Sequence, residues 1–195
     1  MENAPEAMTL LLFLIALLFE FVYIVLFILT IRLPGFRFWP PPSARSWQFF
    51  AAWLMASIVA VNFFFLGLLD FDSAFLPDLK IRFPVAMILF IIGLGLGSWA
   101  GSVFGFRAVL GLGNRLVTDG PYGYTRNPQY IGDCLLALGY MILTNSWIAG
   151  VVGFLGVILN LMAPHTEEPW LEERFGDSYL KYKRRVPRWI GRRGD

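Results

Sequence analysis

The chain has few of the residues that build covalent or metal-held frameworks. Of its 195 residues, one is cysteine, Cys134, and one is histidine, His165. An internal disulfide is therefore excluded, and no site of clustered cysteine or histidine metal ligands is expected. Charged residues make up only 15% against 57% hydrophobic residues, which is too little polar surface for a soluble domain of this length. The composition predicts a membrane-embedded protein in which Cys134 is a buried, inert thiol.

Apolar runs predict about five helices in a bilayer ~30 Å thick. They lie at 8–31, 47–69, 83–106, 129–143 and 147–163. The first run is interpreted as a span rather than a signal peptide, because it is too long and has no basic flank. The last two runs are short and joined by three polar residues, which predicts a tight helical hairpin at 129–163; their length leaves open whether it crosses fully or dips partway. The predicted fold class is an all-α integral membrane protein, with N-terminal spans in residues 1–106 and a catalytic region in 107–195.

Two features inside the spans predict helix packing. Glu20 interrupts the first run, and because a carboxylate facing lipid is costly, it is expected to face other helices or a wet cavity, in the simplest case as a hydrogen-bonding structural group. In the third run Gly93, Gly97, Gly101 and Gly105 recur at every fourth residue, which predicts one glycine face that another backbone approaches closely. A nucleotide-binding interpretation of Gly93–Gly97 is disfavoured, because no strand precedes it.

Charge in the links predicts which face each link occupies. The first link has Arg32, Arg37 and Arg45 and no acid; the second has Asp70, Asp72 and Asp78 against Lys80 and Arg82; the third has Arg107, Arg115 and Arg126 against Asp119. Under the positive-inside rule the first and third links and the C-terminus are cytoplasmic, and the N-terminus and the hairpin tip are outside. The loop at 120–130 and the tail at 165–190 are therefore expected to share the cytoplasmic face.

The C-terminal tail is basic. Residues 181–193 hold Lys181, Lys183, Arg184, Arg185, Arg188, Arg192 and Arg193, with no acid among them. Such a tail can contact nucleic acid, but beside membrane spans it is expected to face anionic lipid headgroups. The expected partners are accordingly membrane lipids and not nucleic acid, and the sequence leaves the oligomeric state open.

The loop from Gly120 to Tyr130 is stiffened by Pro121 and Pro128, because proline fixes φ and pushes the preceding residue away from helix. Pro128 is expected to begin the next helix with Asn127 as its N-cap. Taken alone, this loop is equally typical of a capped helix in an aromatic belt at the membrane interface.

An acidic segment follows the last apolar run. Thr166 to Glu173 predicts the start of a new short helix that Gly176 ends, and 177–185 predicts a further amphipathic helix. The acids can be a solvated face, but Glu167 and Glu168 fall directly at the end of an apolar span. This position makes the pair a candidate site.

These two segments resemble a known family. Gly120-Pro121-Tyr122 followed by Arg126-Asn127-Pro128-Gln129-Tyr130-Ile131-Gly132 resembles the "GPY…RHPxYxG" signature of membrane methyltransferases, the isoprenylcysteine carboxyl methyltransferases and their phospholipid-methylating relatives. Glu167-Glu168 with Phe175-Gly176-Asp177-Ser178-Tyr179-Leu180-Lys181-Tyr182 and Arg185-Val186-Pro187-Arg188 resembles the family's "EE…FGxxYxxY…VPR" tail. The resemblance covers residues 114–190.

The resemblance implies an enzyme that uses S-adenosyl-L-methionine to methylate a lipophilic acceptor arriving from the bilayer. By position, the implied cofactor contacts are Asn114, Arg115, Leu116, Val117, Tyr122, Asn127, Pro128, Gln129, Tyr130, Glu167 and Glu168. Glu168 completes an acidic pair, and Arg126 is a candidate for steering an anionic headgroup or for pinning the loop to phosphate. These two residues are the implied catalytic residues, and no general base is evident.

Two positions depart from the family pattern. The usual histidine of "RHPxY" is Asn127, which keeps hydrogen-bonding capacity without titrating. The arginine that carboxyl-methylating members place four residues before the cofactor-binding glutamate corresponds to Ala163. Because that arginine is associated with the prenylcysteine substrate, the methyl acceptor stays open.

Two other functions fit parts of the chain. The run from Asn127 to Asp133 also resembles the C-terminal end of NADPH-dependent sterol reductases, although those proteins are larger. A non-catalytic membrane scaffold that assembles through the glycine face is the third interpretation. Binding of S-adenosylhomocysteine, of NADPH or of neither distinguishes the three.

Overall fold

The structure is a computed structural model that describes residues 4–76 and 78–190, and over these residues the chain forms a helical bundle. The helices are α1 (Ala4–Arg32), α2 (Trp47–Leu69), α3 (Leu79–Phe104), α4 (Phe106–Val109), α5 (Pro128–Thr144), α6 (Trp147–Phe175) and α7 (Asp177–Arg185), with a 3-10 turn at Gly120–Gly123. Arg192 and Arg193 of the predicted basic tail lie outside the described residues.

Among the described helices, α1, α2, α3 and α6 are long and apolar enough to cross a membrane. Their outer faces expose large apolar side chains such as Leu14, Phe21, Phe50, Leu54 and Ile91, as expected of surfaces that meet lipid. The remaining long helix, α5, has 17 residues and packs against α3 and α6. The predicted all-α membrane fold is confirmed, and α5 with α6 forms the expected hairpin.

The hairpin tip is tied to the link between α2 and α3. Asn145 ends α5 in the left-handed conformation, with φ of 47°, and its Nδ2 donates to Asp72 Oδ1 at 2.8 Å. Arg82 donates to the same carboxylate oxygen at 2.7 Å, and Ser146 Oγ accepts from Ala149 N at 3.0 Å to cap α6. The hairpin tip and the link between α2 and α3 therefore lie together at one end of the bundle.

Glycine allows α3 and α5 to pack closely. A Cβ placed on Gly132 would lie 2.9 Å from the carbonyl oxygen of Gly93 and 3.2 Å from the amide nitrogen of Gly97, distances that only a missing side chain permits. The predicted close-packing face is thus confirmed at Gly93, where an added Cβ would lie 2.9 Å from the Gly132 carbonyl oxygen, but not at Gly97, where an added Cβ would meet nothing within 4 Å. Gly105 instead ends α3, with φ of 86°, a conformation that favours glycine.

Replacement of Gly132 by alanine is expected to lower the free energy of unfolding by roughly 1–3 kcal/mol, because the added methyl overpacks a backbone contact that cannot yield locally. Unfolding in mild detergent, followed by tryptophan fluorescence, measures the change. The matched control is Gly95→Ala on α3, where an added Cβ meets nothing within 4 Å; there the change is expected to be neutral or stabilising by up to about 1 kcal/mol. Equal effects of the two substitutions would contradict the close contact.

Helix α6 is longer than the sequence predicts. The new helix expected to begin at Thr166 is wrong: α6 continues without interruption from Trp147 through Pro164 and Pro169 to Phe175. A proline in a helix interior costs ~3 kcal/mol, and this is offset here by packing, since Ala163, Pro164, Thr166 and Glu168 are buried. The helices predicted to end at Gly176 and to begin at Asp177 are found.

Glu20 faces other helices, as predicted. Its side chain is fully buried, and one carboxylate oxygen lies 3.7 Å from where a Cβ on Gly156 of α6 would be. The expected hydrogen bond is not found: neither oxygen has a partner among the described residues. The small Gly156 makes room for the carboxyl group at the contact between α1 and α6.

Candidate functional site

A cavity of about 290 Å³ lies at the end of the bundle where α5 begins and α6 leaves its apolar stretch. Of the predicted site residues, it is lined by Arg115, Leu116, Val117, Tyr122, Arg126, Asn127, Gln129, Tyr130, Glu167 and Glu168. Asn114 and Pro128 are not on its wall. The loop at 120–130 and the acidic pair, far apart in sequence, therefore enclose a single cavity.

Glu167 stands between the loop and the link that follows α1. Its Oε1 accepts from the Tyr130 hydroxyl at 2.5 Å and from Trp39 Nε1 at 2.6 Å. Its Oε2 has no hydrogen-bond partner among the described residues, and Glu167 lines the cavity. Two donors thus hold the carboxylate rigidly by one oxygen and leave the other available to a ligand.

Glu168 is engaged differently. Its two oxygens accept from Nε and Nη2 of Arg188 at 2.7 and 2.8 Å, and Arg126 Nη2 lies 3.1 Å from Oε1. The side chains of Arg126 and Glu168 are 4% and 7% exposed, so the buried Arg126 guanidinium depends on Glu168 for its counter-charge, whereas Glu168 is also compensated by Arg188. The bidentate hydrogen bond to Glu168 raises the pKa of Arg188 above its ordinary value.

Residues 186–188 hold the loop at 120–130 in place through hydrogen bonds. The Pro187 carbonyl accepts from the Arg126 amide at 3.0 Å, and the Arg188 carbonyl accepts from Thr125 Oγ1 and Asn127 Nδ2, each at 3.0 Å. Asn127 does stand at the N-cap position of α5, but its side chain makes no capping bond. The predicted N-cap position is confirmed, but the side chain makes no capping bond and its amide binds the Arg188 carbonyl of the C-terminal segment instead.

Three tyrosines form part of the wall on the side of α7. The Tyr182 hydroxyl donates to the Tyr122 carbonyl at 2.8 Å, and the Tyr179 hydroxyl accepts from Arg126 at 3.3 Å. Burial raises the pKa of all three phenols, and the Glu167 carboxylate raises that of Tyr122 further. They are therefore neutral hydrogen-bonding groups with aromatic faces, suited to a flat or cationic ligand.

His165 lies beside this network rather than inside the cavity. Its Nδ1 is 3.2 Å from the Leu161 carbonyl and its Nε2 is 2.6 Å from Arg188 Nη1. With a proton on Nδ1, the ring donates to the carbonyl and accepts from the guanidinium. His165 thus helps to hold Arg188, which in turn holds Glu168.

Some cavity residues were not predicted. Trp39 and Trp53 line the cavity but belong to the first link and to α2, where the sequence shows only a stiff proline turn and an apolar run. Asp133 also lines it, one helical turn after Tyr130. Periodicity carried a signal for Asp133, because residues three apart in a helix share a face, whereas the tryptophans come from a region without a motif.

The fold and the cavity define a polytopic helical membrane protein with a ligand-sized pocket at one end of the bundle. The chain belongs to the phospholipid methyltransferase family, whose family model matches residues 81–178, half of the chain.

Three relatives illustrate the range of similarity. The Protein-S-isoprenylcysteine O-methyltransferase of Schizosaccharomyces pombe is 39% identical over 77 residues, 38% of this chain and 32% of the relative. The Phosphatidylethanolamine N-methyltransferase B of Dictyostelium discoideum is 30% identical over 124 residues, 57% of this chain and 60% of the relative. The Steroid 5-alpha-reductase DET2 of Solanum lycopersicum is 29% identical over 107 residues, 54% of this chain and 41% of the relative.

The matched regions thus span between about a third and three fifths of these relatives' lengths. No solved structure matches the chain at a significant level.

Proposed function

We propose that the protein is an S-adenosyl-L-methionine-dependent methyltransferase that acts on a lipophilic acceptor reaching the cavity from the bilayer. The family supports the reaction class, as does the similarity to the S. pombe isoprenylcysteine O-methyltransferase and the D. discoideum phosphatidylethanolamine N-methyltransferase. The observation that carries the proposal is the bond between Tyr130 and Glu167, which joins the two motif segments across one cavity.

The residues present fit this cofactor. Glu167 offers an unpaired carboxylate oxygen to a cationic amino group or sulfonium, and the rings of Tyr122, Tyr179 and Tyr182 offer aromatic faces. A cavity of about 290 Å³ is near the lower end of the size range of small-molecule sites. When bound, the cofactor supplies a methyl group that passes to a nucleophile in line, while its sulfur leaves as a neutral thioether.

The remaining residues act by positioning. Arg126 and Glu168 neutralise each other at the wall, and with Arg188 they hold the loop at a fixed distance from the end of α6. Alignment of two reactants supplies roughly 7–11 kcal/mol of a barrier, so a rigid pocket contributes directly to catalysis. The catalytic roles of Arg126 and Glu168 are proposed in this sense, and Gln129 completes the wall.

The lipophilic acceptor is proposed to enter the cavity from the side of α2 and α3. Among the described helices, α1 packs against α2 and α6, and α3 packs against α5, but α2 and α3 are not a closely packed pair. Both helices contribute apolar side chains to the cavity lining, Trp53 and Ala56 from α2 and Phe104 from α3. Ala163 lies in an apolar cluster with Phe27 and is 3% exposed, so no cation stands at that position to receive a carboxylate.

The orientation proposed is an external N-terminus and a cytoplasmic C-terminus. It is supported by the cations of the first and third links. These links lie at the same end of the bundle, since Trp39 of the first and Tyr130 after the third both contact Glu167. The cofactor site then faces the compartment in which a soluble, charged methyl donor is available.

We expect S-adenosylhomocysteine to raise the unfolding temperature of the purified chain in mild detergent, with NADPH giving no shift. In sealed vesicles, protection is expected when the ligand is added on the cytoplasmic side and not on the external side. Protection by NADPH alone would favour a reductase, an alternative supported by the similarity to the tomato steroid reductase. Protection by neither ligand would favour a non-catalytic scaffold.

A further inference from the structure

Trp39 lines the candidate cofactor site from a part of the chain that carries no motif. It lies in the link between α1 and α2, before the segment 81–178 that matches the family model. Its side chain is half-buried and lines the cavity together with Tyr130 and Glu167. The Trp39 indole thus reaches two motif residues that lie 91 and 128 positions farther along the chain.

The Trp39 indole contacts both residues of the hydrogen bond that joins the two motif segments. Its Nε1 lies 2.6 Å from Glu167 Oε1 and 3.1 Å from the Tyr130 hydroxyl oxygen, and that hydroxyl lies 2.5 Å from the same Oε1. An indole N–H can only donate, whereas a hydroxyl both donates and accepts. Because Trp39 donates to the hydroxyl oxygen, the hydroxyl hydrogen of Tyr130 is directed to Glu167. The indole therefore fixes the direction of all three hydrogen bonds.

Packing fixes the position of the indole. A Cβ on Gly111 would lie 2.9 Å from Trp39 Cη2 and 2.8 Å from Pro41 Cδ, so the Gly111 backbone lies directly against the ring. Gly111 also has φ of 75°, a conformation that favours glycine. The Trp53 ring packs edge-on against Trp39, with 6.4 Å between ring centroids, and the preceding Phe38 is fully buried. The indole is therefore held in place by contacts other than the hydrogen bonds it makes.

A carboxylate held in this way is ordered before a ligand binds. Glu167 Oε1 accepts two hydrogen bonds, from Trp39 and Tyr130, while Oε2 is left to the cavity. Ordering a flexible side chain during binding costs conformational entropy and weakens affinity. Two fixed donors on one oxygen avoid that cost, because the other oxygen already has its orientation. Loss of the indole N–H would leave both the hydroxyl and the carboxylate free to turn.

We propose that Trp39 is a positioning residue of the cofactor site, whose N–H holds the Tyr130 hydroxyl and the Glu167 carboxylate so that Oε2 faces a cationic group of the cofactor. This inference rests on the proposed methyltransferase function and adds to it a residue outside the segment that matches the family. The N–H acts through Glu167, because both of its acceptors are protein oxygens. Its removal is therefore expected to matter only while Glu167 carries its charge.

The test removes the N–H but keeps an aromatic ring, in the full chain in mild detergent. Trp39→Phe is expected to weaken S-adenosylhomocysteine binding roughly five- to tenfold in calorimetric titration. When Glu167→Gln is already present, the same change is expected to alter the affinity less than about twofold, because the charge that Trp39 positions is gone. A tryptophan that only maintained the fold would weaken binding equally with and without Glu167→Gln.

The matched control is Trp147→Phe, the same chemical change at an exposed tryptophan outside the cavity, which is expected to leave S-adenosylhomocysteine affinity unchanged. Undiminished affinity in Trp39→Phe, or an equal loss with and without Glu167→Gln, would overturn the inference and leave the proposed function standing. Absence of S-adenosylhomocysteine binding in wild type would instead contradict the proposed function, and the inference with it.

Discussion

Replacement of Glu167 by glutamine is expected to weaken S-adenosylhomocysteine binding by roughly 10- to 100-fold. A charge-assisted hydrogen bond contributes ~1.5–3 kcal/mol, and each 1.4 kcal/mol corresponds to about tenfold in affinity. Glutamine can keep an acceptor oxygen facing Tyr130 and Trp39, so the pocket should hold its shape while the negative charge is lost. Calorimetric titration of the detergent-solubilised chain measures the change.

The matched control for this effect is Glu173→Gln. Glu173 is also on α6 and loses the same charge, but it borders a separate surface groove and not the cavity. The affinity of the Glu173→Gln variant for S-adenosylhomocysteine is expected to stay within about twofold of wild type. Unchanged affinity in Glu167→Gln would remove Glu167 from the cofactor site.

Replacement of Glu168 by alanine is expected to lower the free energy of unfolding by about 3–5 kcal/mol, because it leaves the buried Arg126 guanidinium without a counter-charge. For a chain of this size this corresponds to a fall in unfolding temperature of roughly 6–20 °C. The comparison is Glu172→Ala, which removes a more exposed ion pair with Lys183 and should cost less than about 1 kcal/mol.

A second variant separates buried charge from lost packing. Replacing Arg126 by methionine together with Glu168→Ala removes both charges, and part of the lost stability is expected to return. If the double variant is as unstable as the sum of the single changes, the ion pair is not what stabilises this wall.

Much of the architecture was predictable because the bilayer demands it. Long apolar runs can satisfy their backbone groups in lipid only as helices, so the spans follow from composition and length. The hairpin turn follows from three polar residues ending at Ser146, a good N-cap. The position of α7 follows from Gly176, which stops α6, and from Tyr179 and Tyr182, which lie three residues apart among polar and basic residues, a helical spacing.

Local rules failed where tertiary contacts compete with them. Two prolines predict a break after the apolar part of α6, yet buried contacts on both sides of Pro164 keep one helix. Asn127 is a good N-cap residue, but its amide binds the Arg188 carbonyl, a partner 61 positions away. A motif at one place in the chain contains no information about such a partner.

The sequence by itself determined that this protein is a helical membrane protein with the motifs of the phospholipid methyltransferase family, because apolar length and two motifs are properties of the linear chain. Only the tertiary structure decided that Glu167 and Glu168 have different partners. Glu167 reaches the cavity with one oxygen unpaired, whereas Glu168 is held by Arg126 and Arg188. Adjacent residues on a helix project about 100° apart, so identical side chains meet different surroundings, and those surroundings exist only once α6, α7 and the loop have packed together.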